Sequence, residues 1–93
     1  MRLIEIFEEA VEQGDDDTTF YVEWPWAPDA EAILVSPSPD TTEPVERDGR
    51  SYDYFLEVFI AREVIEDFAA TEGESASRLR RCKRLILYAE TDA

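Results

Sequence analysis

The chain has 93 residues, enough for one domain, and dividing it would leave each part near the lower limit for a self-sufficient core. Apolar residues make up 44% and aromatic residues 12%, which argues against a permanently solvated acidic tail. With 23 acidic side chains against nine basic ones and no histidine, the net charge is -14; direct contact with nucleic acid or an anionic membrane is disfavoured, and any partner is expected to be basic.

In chain order, Leu3, Ile4, Phe7, Ala10 and Val11 recur at three- and four-residue steps and stop before Gly14, which predicts a helix over 3–13. The same periodicity lines up Glu5, Glu8, Glu9 and Glu12 on its outer side, followed by Asp15, Asp16 and Asp17. Residues 19–24 are β-branched and aromatic and end at Pro25, a first strand; residues 31–36 supply a second, closed by Pro37 and Pro39. Three prolines, one glycine and mixed charge over 37–50 predict an exposed, mobile loop.

Residues 52–58 form a third strand passing into a helix over 60–70 with Val64, Ile65, Phe68 and Ala69 inward. Ser75 or Ser77 caps a last helix that buries Leu79, Cys82, Leu85, Ile86 and Ala89. The expected fold is α+β: a helix, a three-stranded mainly antiparallel sheet, and two C-terminal helices packed on one face. Of the two tryptophans, Trp24 is expected in the core and Trp26, beyond Pro25, at the surface as an apolar anchor.

The single cysteine, Cys82, cannot form an internal disulfide and reads as a packing residue. The opening Met1-Arg2-Leu3-Ile4-Glu5 turns acidic before a signal peptide can develop, and no apolar run approaches the length of a membrane span, so a cytoplasmic chain is expected.

The closing segment, residues 78–93, reads Arg-Leu-Arg-Arg-Cys-Lys-Arg-Leu-Ile-Leu-Tyr-Ala-Glu-Thr-Asp-Ala. It resembles the end of an uncharacterised family of small acidic bacterial domains, with Tyr88, Glu90, Asp92 and Ala93 at matching positions. Those domains are similar in element order: an acidic opening helix, an aromatic strand, an acidic proline-containing loop and a closing helix. The resemblance implies no activity for any residue.

Charge is polarised along the chain. Residues 1–77 carry net -17 and residues 78–93 carry net +3, the latter from Arg78, Arg80, Arg81, Lys83 and Arg84 on the side of the last helix expected to be exposed. This basic block is expected to pair with the acidic body, its own or that of a second copy.

Carboxylates one helical turn apart lie about 5–6 Å from each other, while duplex DNA offers a phosphate about every 3.4 Å of axis per strand. The acidic helix stripe therefore approaches the charge density of a nucleic-acid backbone. The function expected on this basis is a non-catalytic inhibitor, similar in size and charge to anti-CRISPR and other anti-defence proteins of phage, that occupies a basic nucleic-acid-binding effector in the bacterial host cell. Its expected contact residues are Glu5, Glu8, Glu9, Glu12, Asp15, Asp16, Asp17, Asp40, Glu43, Glu46 and Asp48, with Trp26 as the apolar anchor.

The alternatives are an immunity protein neutralising a basic nuclease toxin, a regulatory or structural homodimer, and a solvated surface adapted to high salt. No histidine is present to act as a base or metal ligand, and Asp15-Asp16-Asp17 lacks the spacing of a calcium loop, so neither catalysis nor a cofactor is expected.

Overall fold

The computed structural model describes residues 1–72 and 76–92. Helix α1 (Leu3–Gln13) is followed by strands β1 (Thr19–Val22), β2 (Ala32–Val35), β3 (Val45–Arg47) and β4 (Arg50–Glu57), then helices α2 (Val58–Glu72) and α3 (Arg78–Asp92). The sheet is antiparallel throughout in the order β2-β1-β4-β3. The fold is α+β as expected, with four strands rather than three.

The additional strand lies inside the segment expected to be a loop. Val45 pairs with Tyr52 and Arg47 with Arg50, closing a hairpin over Asp48 and Gly49, whose φ angles are 55° and 78°. Asp-Gly adopts positive φ at low cost, and such a turn matches the twist of the strands it joins. Residues 37–44 form a strap. The Thr19 and Ser38 hydroxyls lie 2.6 Å apart, Ser38 N–H donates to the Asp17 carbonyl at 2.8 Å, and Tyr21 Oη donates to the Thr41 carbonyl at 3.4 Å. Tyr21 is fully buried yet stands apart from the main core, meeting Tyr54 edge-on with ring centroids 6.0 Å apart.

The main core lies on the other face, where Phe20, Val22, Phe55 and Leu56 meet Leu3, Phe7 and Val11 of α1, Val58, Ala61 and Val64 of α2, and Cys82, Leu85, Ile86 and Ala89 of α3. A bulge makes this possible: Phe20 pairs with Leu56 but Tyr21 with Tyr54, leaving Phe55 as the extra residue, so both Phe55 and Leu56 reach the helices.

The start of α1 is tied to the loop before β2. Leu3 and Ile4 donate to the carbonyls of Ala30 and Pro28 at 2.8 Å each, satisfying amides that a helix leaves open at its start. Its other end is closed from α2, because Arg62 donates to the Val11 carbonyl at 2.9 Å and the Gly14 carbonyl at 3.0 Å and pairs with Asp16. Arg80 N–H donates to Ser77 Oγ at 3.2 Å, making Ser77 the cap of α3; Ser75 lies outside the described residues.

Several side-chain placements differ from expectation. On α2, Val64 is buried as expected, but Phe68 and Ala69 are only half-buried and stand outside the core cluster, which takes Ala61 instead. Leu79, in the first turn of α3, is exposed, while Ala76, just before that helix, is buried. Arg81 turns inward, pairing with Glu8 and donating to the Ala76 carbonyl. The tryptophans exchange roles: Trp24 is 62% exposed, whereas Trp26 packs on the core, its ring 5.0 Å from Phe55 and its Nε1 donating to the Val22 carbonyl at 3.2 Å. β1 ends at Val22, and the chain beyond folds Trp26 back onto the sheet.

Candidate functional site

The expected contact residues divide between regions. Glu5, Glu8, Glu9 and Glu12 lie on α1 and Asp15, Asp16 and Asp17 in the turn after it, at the end of the sheet where β1 begins. Asp40 and Glu43 lie on the strap, which starts beside Asp17 and Thr19; Glu46 lies on edge strand β3 and Asp48 at the hairpin tip, by the opposite end of β1, where Arg50 pairs with Glu23 at 2.9 Å. Trp26 is half-buried: it packs against the core on one side and lines an open cleft on the other.

Among the seven acids of α1 and its turn, internal pairing separates structural from available charge. Glu5 accepts the Arg2 backbone N–H at 2.9 Å while its own N–H donates to the Arg2 carbonyl at 2.9 Å. That backbone hydrogen bond holds its carboxyl below the usual value. Glu8 sits between two arginines, Arg78 at 2.7 Å and Arg81 at 2.5 Å, and Asp16 is held by Arg62. Glu9, Glu12, Asp15 and Asp17 are exposed and have no ion-pair partner among the described residues.

The basic block is mostly engaged within the chain. Besides Arg78 and Arg81 on Glu8, Arg80 lies 3.7 Å from Glu72 and 5.9 Å above the Phe68 ring. Lys83 and Arg84 line a shallow groove with Phe68 and Leu87.

A feature the sequence did not single out lies beside the strap. Trp24, Trp26, Tyr54, Asp53, Glu90 and Pro44 line an open cleft of about 610 Å³. The Trp24 and Trp26 rings meet nearly perpendicular with centroids 5.1 Å apart. The sequence signal was the Trp-Pro-Trp run, but its convergence with Asp53 and Glu90 depends on sheet register and on where α3 ends.

Cys82 is fully buried, and that burial, with Glu8 as the smaller cause, pushes its thiol up to about 12. An unfolded cysteine ionises near about 8.5, so above that pH the folded chain binds more protons than the unfolded one. Stability is therefore expected to hold below about pH 8.5 and then fall by up to about 1.4 kcal/mol per pH unit as this thiol ionises on unfolding. Tyr21 and Tyr54 add to the decline at higher pH, since burial raises both. Urea midpoints at pH 7 and pH 10.5 check this; equal midpoints would contradict it.

Among the described residues, no cluster of His, Cys, Asp or Glu is placed to hold a metal ion, and no helix is long and apolar enough to cross a membrane. No family model, curated protein or solved structure matches the chain.

Proposed function

We propose that the chain is a non-catalytic acidic inhibitor, of the anti-CRISPR or other anti-defence type, that occupies the nucleic-acid-binding surface of a basic protein. The observation that carries this reading is the exposed group Glu9, Glu12, Asp15 and Asp17 on α1 and the turn after it, which has no ion-pair partner among the described residues while nearby arginines engage Glu8 and Asp16. An anionic group of this kind attracts a cationic groove over long range and gains by releasing its counterions.

Immobilised chain is expected to capture a basic nucleic-acid-binding protein from bacterial lysate, and duplex DNA to release it. Changing Glu9→Gln, Glu12→Gln, Asp15→Asn and Asp17→Asn together should weaken capture by at least about tenfold, with the circular dichroism spectrum unchanged. Capture that DNA fails to displace, or that survives the fourfold change, would overturn the reading. The homodimer alternative has less support, because three of the five basic side chains on α3 already contact carboxylates of their own chain.

A further inference from the structure

We infer that the cleft beneath Trp24 is a binding site for an arginine side chain of a protein partner. Its chemistry is that of a cation receptor. Trp24, Trp26 and Tyr54 contribute aromatic surface, and the charged residues on its wall, Asp53 and Glu90, are both carboxylates. The negative face of an aromatic ring attracts a cation, and tryptophan does so most strongly.

Guanidinium fits better than ammonium for two reasons. It is planar and weakly hydrated, so it stacks on an indole with a small loss of solvation, and its N–H groups fork onto carboxylates while stacked. The cleft is wide and open, with room for the flat head and its three-carbon stem. Trp24 is 62% exposed, a large apolar area to leave in water at the rim of an acidic cavity, and a stacked guanidinium would cover it.

Trp26 is held from below by Phe55 and by its hydrogen bond to the Val22 carbonyl, so one wall is fixed before a ligand arrives. The site is separate from the acidic group of α1 and its turn and stands whether or not that group takes the place of DNA.

Trp24 and Trp26 are the chain's two tryptophans, so their indole N–H signals give a local readout in a ¹⁵N–¹H spectrum. The probe is a short blocked Gly-Arg-Gly peptide, with its citrulline and lysine counterparts as controls. The arginine peptide is expected to shift the Trp24 indole signal saturably, and the citrulline peptide, which keeps the shape and loses the charge, to bind about tenfold more weakly. Asp53→Asn with Glu90→Gln should abolish the arginine response while leaving the rest of the spectrum in place.

The fourfold α1 variant should respond as the unaltered chain does, which keeps failure here distinct from failure of the inhibitor reading. No saturable shift, an equal response to citrulline or lysine, or a response that persists in the Asp53→Asn, Glu90→Gln chain would overturn the assignment.

Discussion

Phe55→Ala is expected to lower stability by about 3–5 kcal/mol, a large part of the roughly 5–15 kcal/mol available to a small domain. The bulge turns this ring into the core, where it meets Phe20 edge-on at 6.4 Å and supports Trp26 at 5.0 Å. Alanine leaves a cavity that the surrounding strands and helices cannot close, because their positions are set by other contacts. Urea unfolding at neutral pH measures the loss, and the combined fluorescence of Trp24 and Trp26 should shift in the folded baseline as the ring beneath Trp26 disappears. Phe55→Leu, which keeps most of the volume, should cost about 1–2 kcal/mol. An alanine variant within about 1 kcal/mol of the unaltered chain would mean that Phe55 does not join the sheet to its helices as described.

Glu8→Gln is expected to cost about 1.5–3 kcal/mol and to leave partner capture by the folded chain unchanged. Glu8 is 29% exposed and Arg81 20% exposed, so this pair is shielded enough for its hydrogen bond to count; Arg78, 61% exposed, adds little. The amide removes the charge facing both guanidinium groups, and Arg81 then stays half-buried without its carboxylate. One residue further on, exposed Glu9→Gln should change stability by less than about 0.5 kcal/mol. Chemical unfolding of both single variants beside a capture assay checks the contrast. Equal stability losses at the two positions would show that the division between structural and available acids is wrong.

That division also marks where the sequence ran out. The extent of α1 was legible because its apolar period stops before Gly14 and nothing distant is needed to end the pattern. Glu5, Glu8, Glu9 and Glu12 share one helix, and only the tertiary fold separates Glu8 from Glu9, since its partners Arg78 and Arg81 lie 70 and 73 positions away.

The direct passage from the third predicted strand into a helix holds, with β4 ending at Glu57 and α2 starting at Val58. β3 was hidden because Val45, Glu46 and Arg47 are too few and too polar to show alternation, although Asp48-Gly49 was a hairpin signal within the loop composition. Trp24 was misplaced because the first strand was expected to run to residue 24, whereas β1 stops two residues earlier and leaves Trp24 outside the sheet.

Arg62 gives the exposed acids a property that their own helix cannot supply. An 11-residue helix is too short to persist alone in water, and its last turn is where it would fray. By gripping the Val11 and Gly14 carbonyls together with Asp16, a side chain some 50 residues away fixes the spacing between Glu12 and the turn that follows. The backbone that carries these anions is thus pinned on both sides of the turn, and under the proposed function a receptor matched to their spacing would have only their side chains left to order.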